Sequence, residues 1–340
     1  MLCKRKTFHL LFCFAFVALM GLNGTALAAG KKKVSSKVSS VTPASNSTAV
    51  AKVNGTSITR GELDRAMKVM LAQTGAPSNL TAEQKKSAET AVLNQLVSAE
   101  LLFQAGRKLE LKDIEKQVAA QISSAKAKFS TPAQFDKSLK ENGITENDLK
   151  EYARKELYIN NLIETQIASK VSITEAEEKK FYDENPDKFK LPESVRASHI
   201  LIGVDAKSTD ADKLKAKEKA ETVLKKVKGG EDFATAAKEN STCPSSTQGG
   251  DLGFFTKGQM VPAFENAAFS LKPGEMSDVV ETQFGYHIIK VVEKQPARTV
   301  SFDEAKQKIQ DFLKSQKIRK GINDYVEKLR KEGKVEILAS

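Results

Sequence analysis

A serine or threonine stands three residues ahead of a glutamate or glutamine at Thr59/Glu62, Thr81/Gln84, Thr174/Glu177 and Ser301/Glu304. Each pair heads a stretch with helical apolar spacing. This is the capping box, in which the hydroxyl and the carboxyl or amide satisfy orphan backbone N–H groups at a helix start. Behind Thr81 the apolar residues include Val92, Leu96, Ala99 and Phe103; behind Ser301 they are Ala305, Ile309 and Phe312, then Ile322, Val326 and Leu329. That recurrence is the signature of amphipathic helices. Residues 60–185 and 302–331 are therefore expected to be helical, with breaks at Gly75-Ala-Pro77 and Asn142-Gly143. Residues 50–54 alternate in polarity and end in the turn signal Asn54-Gly55, and residues 334–338 alternate again after the stop at Gly333. A lone short strand is marginal, so the terminal strand is expected to have a partner strand.

Between the helical blocks the pattern changes. Residues 195–204 are β-rich, 210–228 form a lysine-rich helix, and 232–240 a second helix. A strand follows at 251–255, then a helix at 262–269 with Pro262 at its first position, where proline is tolerated. Runs 276–281 and 284–293 read as closing strands. In the last of these His287, Ile289 and Val291 share one face and Phe284, Tyr286, Ile288 and Lys290 the other. A histidine grouped with aliphatics is aimed at a core.

The first residues read as a secretory leader. Lys4, Arg5 and Lys6 precede an apolar stretch at 8–22, and Ala26-Leu27-Ala28 is a small-x-small cleavage signal. Residues 1–28 are expected to be removed, with no stable membrane span afterwards. Cys13 lies inside the apolar run behind Phe12, which does not suit a lipid-attachment site. Removal takes His9, Cys3 and Cys13 and leaves His199, Cys243 and His287. A single cysteine makes no internal disulfide, so the fold rests on its cores. Residues 29–49, rich in Ser, Lys and Thr, read as a flexible linker. The formal net charge is +11. Its lysines alternate with Asp and Glu along helices, and no basic block with interleaved aromatics occurs, so nucleic acid is not an expected partner.

Several motifs follow in order: Ala-Ser-His-Ile-Leu (197–201), Gly-Gly-Asp-Leu-Gly-Phe-Phe (249–255), Gly-Gln-Met-Val-Pro-Ala-Phe (258–264) and Phe-Gly-Tyr-His-Ile-Ile-Lys-Val (284–291). Residues 193–295 resemble the parvulin family of peptidyl-prolyl cis/trans isomerases. Val-Asn-Gly-x-x-Ile-Thr (53–59), and Ser-Ile-Thr-Glu-Ala-Glu (172–177) before Phe181-Tyr182, resemble the N-terminal module of SurA-like and PrsA-like chaperones. The resemblance implies an α+β fold. A four-stranded antiparallel sheet wrapped by helices (191–296) is inserted in a mostly helical chaperone module built from residues 50–190 and 297–340.

The resemblance also implies a site. Leu252, Met260 and Phe264 form a proline pocket, with Phe255 and Phe284 extending its wall. His199 and His287 pair at its floor, Thr282 supplies a nearby hydroxyl, and Cys243 takes a position that is Cys or Asp in the family. Rotation about an X–Pro bond needs no cofactor, only an apolar pocket that favours the twisted amide over the planar one. Each residue also has a plainer reading. A histidine on an apolar strand is usually a satisfied core residue, a free cysteine is usually a small buried one, and Met260 with Phe264 could be ordinary core.

Rival chemistries fit less well. His199, Cys243 and His287 include no close pair to seed a metal site. Thr-Cys-Pro-Ser (242–245) lacks the context of an activated thiolate, and no phosphate-binding glycine pattern precedes a helix. The loop at 203–212 is net acidic, so a phosphate beside the proline is not expected to be required. The expected clients are unfolded or partly folded secreted or outer-membrane polypeptides containing X–Pro bonds, met in the periplasm. A non-enzymatic holdase that uses the isomerase fold as a spacer is the alternative. Oligomeric state, a homodimer included, is left open by the sequence.

Overall fold

The computed structural model describes residues 47–74, 80–205 and 207–338. The leader at 1–28, most of the linker at 29–49 and the Gly75-Ala-Pro77 break lie outside the described residues. In chain order the elements are β1 (Ala49–Val53), β2 (Thr56–Thr59), α1 (Arg60–Thr74), α2 (Ala82–Gly106), α3 (Ile114–Lys126), α4 (Pro132–Glu141), α5 (Glu146–Gln166) and α6 (Glu175–Glu184). Then come β3 (Lys190–Leu191), β4 (Ser194–Gly203), α7 (Asp210–Lys228), α8 (Phe233–Asn240), β5 (Asp251–Thr256) and α9 (Pro262–Ser270). The chain closes with β6 (Val280–Thr282), β7 (Gly285–Gln295), β8 (Arg298–Thr299), α10 (Phe302–Glu332) and β9 (Val335–Ile337). The chain divides into two compact units, one reaching to Ile173 and resuming at Asp311, the other Thr174–Gln310.

The capping boxes explain where several helices start. Thr81 accepts from the Gln84 N–H while Gln84 accepts from the Thr81 N–H, and Thr174 with Glu177 does the same. Thr59 and Glu62 form the reciprocal pair at α1. At α10 the box is only half made. Ser301 Oγ accepts the Glu304 N–H, but the Glu304 carboxylate forks onto Arg298 instead. Two further boxes, Thr145/Asp148 and Thr209/Asp212, use aspartate in place of the longer side chain.

In the first unit β1 is central in a three-stranded sheet of order β2-β1-β9. The β1–β2 hairpin turns on Asn54 and Gly55 at φ 49° and 88°, both in the left-handed region that such a tight turn needs. Strand β9 pairs antiparallel with β1, Ala51 opposite Ile337 and Val53 opposite Val335. Val50, Val53, Ile58, Leu63 and Met67 pack on Val92, Val97 and Leu101 of α2. A second cluster joins Leu102 of α2, Ile159 and Leu162 of α5, and Ile322 and Val326 of α10. At Gly106 a Cβ would lie 2.5 Å from the Tyr158 carbonyl oxygen, so the α2–α5 crossing requires glycine there. Phe312, expected to be buried alongside Ala305 and Ile309, is instead 43% exposed.

In the second unit the four-stranded sheet has order β5-β4-β7-β6, antiparallel throughout. One face carries Ile200, Ile202, Tyr286 and Ile288 against Val223, Val227, Phe233 and Ala237 of α7 and α8. The other carries Val195, Ala197, Ile289 and Val291 against Phe264 and Ala268 of α9. This is the alternation read from the strand sequence. The run 276–281 is strand only from Val280. Before that, Met276 makes an isolated bridge to Lys290, and the buried Ser277 hydroxyl accepts the Ile289 N–H in place of a backbone carbonyl. The ends of the sheet segment are tied by the β3–β8 pair, and Tyr182 donates to the Val300 carbonyl while its ring meets Phe189 and Phe302.

Candidate active site

His199 on β4 and His287 on β7 lie on the α9 face of the sheet. In the register Leu201 stands opposite His287 and His199 opposite Ile289, so the two histidines are diagonal neighbours on one face. Their rings stack with centroids 5.4 Å apart and planes 21° apart, and their Nδ1 atoms are 3.2 Å from each other. Phe264 of α9 meets both rings nearly edge to face, at 5.6 Å and 5.4 Å. Thr282 Oγ1 is 2.8 Å from His287 Nε2 and accepts the Phe284 N–H at 3.1 Å.

Burial governs the charge of the pair. His199 and His287 are 5% and 4% exposed, and loss of hydration moves each from the usual 6.5 to about 4. For His287 the neighbouring His199 adds a like-charge penalty. Both rings are therefore neutral near pH 7, and one proton lies between the facing Nδ1 atoms. If His199 donates, His287 carries its single ring proton on Nε2 and donates to Thr282. If His287 donates, Thr282 donates to His287 Nε2, and His199 carries its proton on Nε2. His199 Nε2 is buried with no hydrogen-bond partner among the described residues.

The glycine motif before β5 is architectural. Gly250 accepts the His199 N–H at 2.9 Å, and a Cβ on it would lie 2.2 Å from the His199 carbonyl oxygen. Gly250 also has φ +82°, so any side chain there would push β5 away from the histidine. Asp251 then accepts from the Gly253 N–H and pairs with Arg196 on β4, which holds its carboxyl below the usual range. These supports were not singled out as site residues from sequence, although Gly-Gly-Asp marks them.

Leu252 and Met260, both half-buried, pack against the cluster that contains Phe264. Phe255 lies deeper, 3% exposed, its ring 6.1 Å from Phe264 and 5.9 Å from Phe269. At that depth it presents almost no surface of its own. Phe284 lies outside this cluster, on the β6–β7 turn, with 51% of its surface exposed. Cys243 is half-buried and immediately precedes the short 3₁₀ turn Pro244–Gln248, which leads into Gly249 and Gly250; its side chain makes no capping bond to that turn. Its neighbour Thr242 donates its N–H to the Leu201 carbonyl at 2.8 Å, which brings the segment alongside β4. Among the described residues no three His, Cys, Asp or Glu side chains gather as metal ligands, and no helix is long and apolar enough to cross a membrane.

Residues 184–295 match the PPIC-type PPIASE domain, and residues 5–163 match the SurA-like N-terminal domain. Foldase protein PrsA of Clostridium botulinum is 30% identical over 305 residues, 85% of this chain and 87% of that protein. Foldase protein PrsA of Caldanaerobacter subterraneus is 34% identical over 298 residues, 84% of this chain and 86% of that protein. A solved SurA-like chaperone structure from Campylobacter jejuni is 30% identical, with a TM-score of 0.40, covering 85% of this chain and 99% of its own. The chain belongs to the PrsA foldase family: it is a peptidyl-prolyl isomerase whose PpiC-type domain is set within a SurA-like chaperone module.

Proposed function

We propose that this foldase isomerises X–Pro bonds by gripping the proline ring between Leu252, Met260 and Phe264, over a floor made by the neutral His199–His287 pair. The observation that carries the reading is the edge-on contact of Phe264 with both buried imidazoles, beside two half-buried apolar side chains. The planar amide owes its rotation barrier of ~18–20 kcal/mol to resonance, which places negative charge on oxygen and positive charge on nitrogen. An apolar, water-poor pocket disfavours that charge-separated form and so favours the twisted amide. No bond is broken, and the neutral pair serves as a fixed set of dipoles. Cys243, on the segment beside β4, acts on the substrate carbonyl electrostatically and not as a nucleophile.

The substrates are extended, unphosphorylated segments of unfolded secreted or outer-membrane proteins, met in the periplasm after export by the N-terminal leader. The exposed Asp205 of the loop beyond β4 and Asp210 at the start of α7 support the absence of a phosphate requirement. The test is proline isomerisation on a short unphosphorylated X–Pro peptide, with and without a chelator. Turnover unaffected by chelator is expected, and Cys243→Asp is expected to keep much of it. Loss of activity on chelation, restored by zinc, or a substrate covalently trapped on Cys243, would overturn the mechanism. Cell fractionation tests the compartment; recovery with cytoplasmic markers would exclude it.

A further inference from the structure

Leu252 and Phe255 are three residues apart on β5, and strict alternation would put them on opposite faces of the sheet. Both nevertheless pack in the cluster that contains Phe264. The strand register shows why. Ser198 of β4 stands opposite Asp251, and Arg196 opposite Phe254, so two steps along β4 are matched by three along β5. The extra residue is a β-bulge, and Gly253, at φ +68°, supplies the left-handed residue on which it turns. A Cβ on Gly253 would meet nothing within 4 Å, so conformation and not space calls for glycine there. With Phe255 held in the core, an unbulged strand would turn Leu252 to the far face.

One side chain holds that bulge. Asp251 Oδ1 accepts the Gly253 N–H at 2.9 Å, while its Oδ2 accepts Arg196 Nη2 at 2.7 Å and Oδ1 lies 3.4 Å from Arg196 Nε. Arg196 sits where the ladders on both sides of β4 are irregular. On the β7 side it stands opposite Glu293 and Ala197 opposite Val291, which leaves Val292 over. Three residues further along β4, the His199 N–H donates to the Gly250 carbonyl at 2.9 Å. The stretch from Arg196 to His199 is thus fastened at both ends to the stretch from Gly250 to Gly253, which carries Leu252. The two ionic side chains are 42% and 29% exposed, and a pair so placed adds little to stability. A forked arginine–carboxylate contact does fix direction as well as distance.

We infer that Arg196 and Asp251 are positioning residues for isomerisation, whose clamp holds the Gly253 bulge that presents Leu252 to the proline pocket beside Phe264. The inference rests on the pocket assignment above, which places Leu252 against the substrate proline. In this role neither side chain needs to touch the substrate. Asp251 has two tasks, acceptor for the bulge and partner of Arg196, and substitution separates them.

The test is a double-mutant cycle in kcat/KM on a short unphosphorylated X–Pro peptide, with the full chain. Leu252→Ala should lower kcat/KM, and Asp251→Ala should lower it by roughly tenfold, the scale of a small misplacement within a site. In the Leu252→Ala background, Asp251→Ala should cost about twofold or less, because the side chain it positions is gone. Asp251→Asn keeps an acceptor for the Gly253 N–H and should recover most of the activity. Arg196→Asp combined with Asp251→Arg keeps the opposite charges, loses that acceptor, and should be as slow as Asp251→Ala. Lys228→Ala breaks an exposed ion pair with Asp278 elsewhere in the unit and should leave kcat/KM unchanged. If circular dichroism shows Asp251→Ala unfolded, Arg196→Gln carries the same cycle, with an expected loss of about threefold that vanishes in the Leu252→Ala background. Losses that multiply independently in the double variant, full activity in the clamp variant, no recovery in Asp251→Asn, full recovery in the exchanged pair, or an equal loss in Lys228→Ala each overturn the inference and leave the pocket standing. No loss in Leu252→Ala overturns the pocket assignment of Leu252 and this inference with it.

Discussion

His199 and His287 present their Nδ1 atoms to each other across 3.2 Å, inside a pocket where neither ring is hydrated. The arrangement works only while the pair holds a single proton between the two Nδ1 atoms. A second proton would set two N–H groups head to head and place a charge in an apolar site.

The pair should therefore be insensitive to pH across the range where histidines usually titrate. Both rings are held at about 4 in the folded protein, below their ordinary 6.5. The unfolded chain takes up protons as pH falls below about 6.5, while the folded chain stays neutral until about 4. The stability linked to this pair is thus fully present above 6.5 and is lost progressively as pH falls toward 4. Denaturant titrations over that range should show the decline, and isomerisation should hold until the pH nears 4. An imidazole resonance of either residue titrating near 6.5 in the folded protein would contradict this.

Among the described residues, Thr282 is the only side chain placed on His287 Nε2. Thr282→Val keeps the shape and removes the hydroxyl, so it leaves a buried ring nitrogen unpaired. A loss of ~1–3 kcal/mol in stability is expected, with slower isomerisation, because the orientation of the His287 ring is released. Thr282→Ser should recover most of both. Equal behaviour of the Val and Ser variants in melting and in peptide turnover would show that the hydroxyl does not orient the ring.

Strand periodicity placed one histidine of this site, while the histidine pair and the residues around it were read from the parvulin resemblance. Placing His287 with Ile289 and Val291 followed from alternation alone, and the core opposite Phe264 has that composition. The capping boxes marked helix starts for the same reason, since the bond pattern needs fixed spacing. What alternation does not carry is depth. Phe255 and Phe284 read alike in sequence, yet one is 3% exposed and the other 51%, because a turn against Ile202 lifts Phe284 out. Glu178, an acid in the first turn of α6, is 1% exposed with one carboxylate oxygen unpartnered among the described residues, which nothing in the spacing marks. Boxes built on aspartate at Asp148 and Asp212 escaped a search for Glu or Gln.

The pocket and the chaperone module should be separable by mutation. Phe264 is 3% exposed and touches both imidazoles, so Met260→Ala with Phe264→Ala empties the pocket and unseats the histidine pair. Isomerisation should be abolished. Phe264→Ala alone costs ~3–5 kcal/mol, so circular dichroism and melting must first establish that the variant is folded. Suppression of client aggregation should persist, because the unit up to Ile173 and from Asp311 has cores of its own. Loss of both activities together in a folded variant would refute the separation.

The first unit depends on one turn residue for its closure. Asn54 holds the left-handed conformation of the hairpin, donates to Gln104 on α2 at 2.9 Å, and accepts the Lys334 N–H at 2.7 Å. Its own N–H donates to the Lys334 carbonyl. One side chain therefore ties the hairpin to α2 and to the segment that starts β9. Asn54→Gly keeps the turn and loses both side-chain bonds, so a cost of ~1–2 kcal/mol is expected. Asn54→Ala adds the penalty of a left-handed backbone without glycine, a further ~1–2 kcal/mol. Deleting residues 334–340 should be worse than either, since it strips β1 of its second partner and uncovers a strand whose Ala51 and Val53 are fully buried. Thermal melting should rank the variants as wild type, Gly, Ala and deletion, and the deletion should aggregate on heating. If Asn54→Ala melts with the wild type, the turn is not what secures the C-terminal strand.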